Sequence, residues 1–187
     1  GVTPVEATAA STAVGPAQAH PALSVMLVLT QLAVGAFVTD FALRTFTARD
    51  VPRFDAFLIA AVGALAMGAS TLHLGRPLYA WRAVIGLGHS WLSREIVAFG
   101  AFMGLAVPYS VAVWFGWNAE WLGWATAITG VLGVVCSVLI YTVTRRASWS
   151  LPRVVARFFG GAALAGVTTV AWAASLVSGS WLHAVAM

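Results

Sequence analysis

Five long, almost unbroken apolar stretches dominate the chain, separated by short polar segments. They run from Ala22 to about Leu43, from about Phe54 to Leu72, from Ser93 to about Phe115, from about Trp121 to Thr144 and from about Phe158 to Val177. A helix rises about 1.5 Å per residue, so about 20 residues cross roughly 30 Å of hydrocarbon. Backbone N–H and C=O groups find no partner in lipid, which leaves only helices or closed barrels as spanning structures. The stretches lack the polar/apolar alternation of a barrel strand. The pattern therefore predicts an all-α integral membrane bundle of about five transmembrane helices, with Pro108 a candidate kink near the far end of the third.

Between the second and third stretches, Leu78 to Leu87 (LYAWRAVIGL) mixes aromatic, apolar and basic residues and predicts a short amphipathic helix lying along the interface. Gly75 and Pro77 end the helix before it, and Gly86 and Gly88 end the interfacial piece. Ser93 is the expected N-cap of the third helix, with Arg94 and Glu95 in its first turn, where the helix dipole favours a carboxylate. Small residues recur four apart at Ala60, Ala64 and Gly68, at Gly100 and Gly104, and at Ala162 and Gly166, a spacing that lets helices approach closely. Residues 1–20 are rich in Ala, Thr and Pro without apolar periodicity, and read as a flexible segment ahead of a transmembrane domain over 21–187. They lack the basic start and apolar core of a secretory signal. The absence of an initiator Met fits processing, or a start further upstream.

Composition sharpens this picture. The chain of 187 residues is 60% hydrophobic and 9% charged, with mean hydropathy +0.89. A soluble domain carries roughly 25% charge, and so few charges cannot solvate a globule of this size. The net charge of +4 comes from ten Arg and no Lys. The Arg residues sit in short loops, as interface anchors and topology signals do, and form no soluble basic face of the kind that binds nucleic acid. Loops two and four (Arg76, Arg82, Arg94; Arg145, Arg146, Arg153, Arg157) hold seven, and loops one and three hold three. The positive-inside rule then puts loops two and four in the cytoplasm, with the N-terminus. Trp114, Trp117, Trp121 and Trp124 bracket the third loop, while Trp81, Trp91 and Trp149 mark the opposite boundary, as an interfacial aromatic belt does. The single cysteine, Cys136, lies in an apolar run. It can make no intrachain disulfide and cannot hold an iron–sulfur cluster alone, and it reads as a packed small residue.

The segment Ser70 to Phe99, STLHLGRPLYAWRAVIGLGHSWLSREIVAF, gathers His73, Arg76, Arg82, His89, Ser93, Arg94 and Glu95 at one membrane face. Within it, HLGRPLYAWRAV followed by SWLSREI resembles the membrane-anchor subunit of the dimethyl sulfoxide reductase family (DmsC-like). The run RASWSLPRVVARFFG resembles that family's later Pro/Arg/Phe-Phe-Gly segment, and LVLTQLAVGAF fits its first helix. The similarity touches most of residues 22–166. Members usually have about eight membrane helices, so five here imply a fragment or a shortened relative. The resemblance implies an anchor in a bacterial or archaeal cytoplasmic membrane. Such an anchor holds a molybdopterin catalytic subunit and a four-cluster iron–sulfur subunit, and passes electrons from menaquinol to the clusters. By the same resemblance the functional histidine corresponds to His73 and the functional acid to Glu95.

Those residue types suit that chemistry. Quinol oxidation releases two electrons and two protons, so the site should be an apolar slot near the interface with a group that accepts a hydroxyl proton. An imidazole, with an unperturbed pKa of about 6.5, suits that role, and a nearby carboxylate can relay the proton to water. In this reading His73 is the acceptor, Glu95 the relay and Arg76 an electrostatic support. Trp91 and Ser93 complete the quinol-binding set. Arg82, Arg94, Arg145 and Arg146 are candidates to dock the iron–sulfur subunit, against the plainer reading of lipid-headgroup contacts. Asp40 and Arg44 stand four apart on the first helix, a spacing that permits an ion pair. Gln31 is expected to hydrogen-bond a neighbouring helix. His89 and His183 lie outside the helices and make poor haem ligands, so no metal site is assigned to this chain. Two other readings share the same residues. One is a small proton-conducting or transporter-type subunit that uses Asp40 and Glu95. The other is a purely structural anchor.

Overall fold

The computed structural model describes residues 21–47, 51–73, 77–143 and 150–178, with side chains described for all of these except 21–23, 72, 73, 77–81, 177 and 178. The described residues form five long helices: α1 (Pro21–Phe46), α2 (Phe54–His73), α3 (Trp91–Phe115), α4 (Glu120–Val143) and α5 (Leu151–Ser178). A 3-10 helix, Pro77–Gly88, joins α2 to α3. Each long helix has length and apolarity enough to cross a membrane. The expected all-helical bundle with a helical piece between its second and third spans is what the structure shows. The connecting piece is a 3-10 helix, and twelve residues is a long run for that geometry.

Alternating direction through short connections puts the start of α1, the end of α2, the start of α3, the end of α4 and the start of α5 at one end of the bundle. Three long-range bonds fix that alternation. Ser137 on α4 bonds Glu95 on α3. At the other end, Ser110 on α3 donates to the Ala56 carbonyl on α2 at 2.8 Å, and Arg53 donates to the Trp114 carbonyl at 3.2 Å. α1 is the central helix and packs against α2, α4 and α5. Half of its spanning window is buried inside the bundle, against 22% for α5.

The local chemistry explains most helix ends. Ser90 caps α3, its hydroxyl accepting from the Ser93 N–H at 3.4 Å. The helix therefore starts at Trp91, and Ser93, expected as the cap, lies in the first turn as the residue being capped. α3 ends at Gly116, whose φ of 71° is cheap only for glycine. There Trp117 N–H reaches the Ala112 carbonyl at 2.8 Å and Gly116 N–H the Val113 carbonyl at 3.1 Å, a Schellman closure. Asn118 Oδ1 accepts from the Glu120 N–H at 3.2 Å and opens α4. α5 starts at Leu151, well before the expected Phe158. Pro152 sits in its first turn, where a missing N–H costs nothing, and the Ser150 carbonyl accepts from Arg153 and Val154. Arg153 and Arg157, counted above as loop residues, are therefore on the helix.

The core is aromatic at its centre. Phe37 contacts Phe102 edge-to-face at 5.7 Å and Tyr109 at 5.0 Å. Phe41 meets Tyr109 at 6.0 Å and Trp124 at 5.2 Å. Glycines on facing helices make room for these rings. A Cβ at Gly133 would stand 2.5 Å from Phe99, one at Gly130 2.8 Å from Phe102 and one at Gly123 2.2 Å from Phe41. Of the small residues singled out by spacing, Ala162 and Gly166 do serve close packing. α5 crosses α1 there, and a Cβ at Gly35 would fall 1.8 Å from the Ala162 carbonyl oxygen. Gly68, Gly100 and Gly104 instead face outward, with nothing within 4 Å of an added Cβ. Trp114, Trp117, Trp121 and Trp124 are all exposed around the third loop, as an interfacial belt requires.

Candidate functional site

Glu95 is the residue around which a site can be built. It occupies the second turn of α3, beyond the stretch where the helix dipole would account for it, and not the first turn expected from a Ser93 cap. It is 5% exposed and turned into the interface with α4. Ser137 donates a hydrogen bond to Glu95 Oε1, and Ser137 Oγ also lies 3.2 Å from the Gly133 carbonyl of its own helix. No cation pairs with this carboxyl among the described residues. Small residues on α4, Gly130, Gly133 and Ser137, bring that helix close enough for the contact. Ser137 is the site residue that sequence reasoning missed. Its only signal is a hydroxyl within an apolar run, and nothing local ties it to an acid 42 positions away.

The rest of the Ser70–Phe99 segment frames Glu95. The 3-10 helix packs on the start of α3. Arg94 closes the turn between them, donating to the Leu87 carbonyl at 2.8 Å and the Gly88 carbonyl at 3.2 Å, with its guanidinium 4.2 Å from the centre of the Trp91 ring. Arg94, expected to dock a partner, is thus committed to the fold, and Trp91 is its stacking platform. Ser93 lies against Gly86, where an added Cβ would stand 2.4 Å from the Ser93 hydroxyl oxygen. Arg82 is exposed on the 3-10 helix. His73 is the last residue of α2, at the same bundle end as Glu95; its side chain lies outside the described residues. Arg76, Arg145, Arg146, His183 and the 1–20 segment also lie outside them.

Two open clefts accompany two buried acidic groups, one pair at each end of the bundle. At the Glu95 end, a cleft of about 230 Å³ is lined by Leu27, Gln31, Tyr141, Val154, Arg157 and Phe158. Tyr141 stands four residues after Ser137 on α4, hence on the same face about one turn nearer the membrane edge. Gln31, expected to bond a neighbouring helix, forms the α1 wall. At the opposite end the expected Asp40–Arg44 pair is present. Arg44 Nε donates to Asp40 Oδ2 at 2.8 Å and Nη2 to Oδ1 at 2.9 Å. The same guanidinium holds the Val51 and Pro52 carbonyls, tying the first loop to α1. Asp55 lies nearby, buried, with neither carboxyl oxygen hydrogen-bonded. A cleft of about 340 Å³ beside this group is lined by Arg44, Thr45, Tyr109, Trp117 and Glu120 among others. Cys136 is a buried free thiol, and the described residues hold no group of three or more His, Cys, Asp or Glu placed to bind a metal.

Comparison with known proteins agrees with the helical anchor outlined by these features. Residues 18–181 match the family model of the DMSO reductase anchor subunit (DmsC). The chain is 36% identical over 181 residues to the C subunit of sulfite dehydrogenase from Allochromatium vinosum, an overlap of 83% of this chain and 56% of the relative. It is 31% identical over 149 residues to the C component of anaerobic dimethyl sulfoxide reductase from Haemophilus influenzae, an overlap of 75% of this chain and 53% of the relative. It thus spans about half the length of these curated relatives. No solved structure matches it. With the family model covering most of its length and two such relatives beside it, this chain belongs to the DMSO reductase anchor subunit (DmsC) family.

Proposed function

We propose that this chain is the membrane-anchoring, menaquinol-binding part of a molybdenum oxidoreductase complex in a bacterial or archaeal cytoplasmic membrane. It exchanges electrons between the quinone pool and an iron–sulfur subunit with four clusters. Family membership supports the anchor role, and the names of the relatives support partner subunits of a sulfite- or dimethyl sulfoxide-linked enzyme. The observation that carries the quinol reading is Glu95. A carboxyl is buried among apolar helices near a membrane face, with a hydroxyl for its partner and no cation beside it among the described residues. Burying such a group costs several kcal/mol in lipid, roughly 2.5–3.5 for an acid at mid-membrane on insertion scales, so a bare structural role is a poor account of it.

The residues present fit a quinol. Leu27, Val154 and Phe158 offer an apolar wall within the membrane, and Gln31 and Tyr141 offer hydrogen-bonding groups on it. A bound quinol supplies two electrons and two protons. Glu95 receives a hydroxyl proton through Ser137 and passes it toward the interface, where His73 ends α2. Ser137 orients the carboxyl. Arg94 holds the 3-10 helix against α3, and so fixes the second turn from which Glu95 projects.

The alternative of a proton-conducting subunit draws support from the second acidic group, Asp40 and Asp55. Along α3, however, Phe99 and Phe102 fill the interval between Glu95 and Tyr109, and both rings are buried. An apolar plug of that kind gives a proton no relay between the two ends. The test is Glu95→Gln in the assembled complex. Quinol-dependent turnover should fall at least about tenfold, while turnover with a soluble dye donor is retained. Equal loss of both activities would mark Glu95 as structural, and no loss of either would remove it from the site.

A further inference from the structure

We infer that the quinol headgroup binds between α1, α4 and α5, with Gln31 and Tyr141 as its polar contacts, rather than against the segment that ends α2. This inference rests on the quinol reading above and assigns it a place. Leu27, Gln31, Tyr141, Val154, Arg157 and Phe158 line a cleft of about 230 Å³ at the Glu95 end of the bundle. That volume accommodates a one- or two-ring headgroup, and an isoprenoid tail would run out into lipid.

The polar groups are spaced along the cleft as the two oxygens of a quinol are spaced across its ring. Gln31 lies seven residues inside the spanning part of α1, which begins at Ser24, a depth of about 10 Å at 1.5 Å per residue. Tyr141 and Arg157 lie near the membrane edge, two residues before the end of α4 and in the second turn of α5. Gly161 lets the Gln31 amide take its place, because a Cβ there would stand 2.8 Å from Gln31 Oε1. Tyr141 and Phe158 form an aromatic wall, their ring centres 5.4 Å apart. An amide held on an apolar face in lipid is expensive unless something hydrogen-bonds it, and a ligand hydroxyl does so.

The position also connects to the acid. Tyr141 lies on the same face of α4 as Ser137, and Ser137 donates to Glu95. When the quinol is oxidised, two electrons leave to a cluster-bearing partner and two protons are released. Gln31 accepts a hydrogen bond at the deep hydroxyl. The shallow hydroxyl lies beside Tyr141, from which Ser137 leads its proton to Glu95.

The test uses the membrane complex containing this chain, with Leu27→Trp, which fills the cleft, and Gln31→Leu, which removes its deep polar contact. Binding is read by fluorescence titration with a hydroxyquinoline N-oxide, a quinol analogue, and by peptide mapping after photolabelling with an azidoquinone. Both variants should raise the Kd for the analogue, by at least about tenfold for Leu27→Trp, and the label should fall on α1, α4 or α5. Wild-type analogue affinity in both variants, or label confined to residues 70–90, would overturn the placement. If Glu95→Gln still abolished quinol turnover, the quinol reading would survive that result. If the unaltered complex bound no analogue at all, the placement and the quinol reading would fall together. Should Leu27→Trp fail to assemble, Gln31→Leu and the labelling map decide the matter.

Discussion

Replacing Gly35 with alanine tests whether the α1–α5 crossing is as close as the structure has it. The added Cβ would lie 1.8 Å from the Ala162 carbonyl oxygen and 2.6 Å from its carbonyl carbon, both rigid backbone atoms of α5. Comfortable contact between non-bonded heavy atoms is about 3.5–4.0 Å, so α5 must retreat by roughly 1.5 Å. No flexible side chain can absorb this, and Gly166 faces the same crossing from the other helix, 2.2 Å from the Gly35 carbonyl carbon if given a Cβ. Overpacking of this kind costs about 1–3 kcal/mol, and a backbone clash belongs at the upper end. The assay is thermal unfolding of the purified complex in detergent, read by the exposure of the buried Cys136 to a thiol-reactive dye. The same variant should weaken binding of the quinol analogue, because α1 and α5 form two walls of the cleft. Gly100→Ala is the matched control, since nothing lies within 4 Å of its Cβ. Gly35→Ala with wild-type stability would refute the close crossing. A loss at Gly100→Ala would instead reveal another helix seated on that face.

Other substitutions test separate parts of the structure. Arg94→Ala should destabilise the turn between the 3-10 helix and α3 by about 1–3 kcal/mol, because two carbonyls lose a charged donor; Arg94→Lys should not rescue it, and wild-type protease resistance at residues 82–90 would argue otherwise. Asp40→Asn leaves the half-buried Arg44 without its bidentate partner and should cost about 3–5 kcal/mol in thermal stability, a smaller loss meaning that the loop carbonyls suffice to hold the guanidinium. Asp55→Leu should leave the melting temperature unchanged or raise it, since the native carboxyl is buried without a donor; a marked fall would show that this acid has a partner in the assembled complex. Ser137→Ala should lower quinol-dependent turnover without changing dye-donor turnover, and combining it with Glu95→Gln should add little, the non-additivity of two groups in one bond.

Much of the architecture could be read from the amino-acid order because lipid imposes a severe rule. A spanning backbone must satisfy itself, so length and apolarity alone place five helices and the connections between them. The Asp40–Arg44 pair, the interfacial piece before α3 and the tryptophan belt were equally legible, since each depends on neighbours within a few residues. Helix ends were less so. α5 starts at Leu151 because Pro152 and the Ser150 carbonyl suit a first turn, yet the Arg residues there looked like a loop. What only the tertiary structure decided is which face of each helix turns inward. In a membrane bundle the lipid-facing and core-facing sides are both apolar, so the period that marks the buried side of a soluble helix is missing. For that reason Gly35 and Gly133 could not be told from Gly100 and Gly104, and Ser137 could not be matched to Glu95 until the fold brought α3 and α4 together.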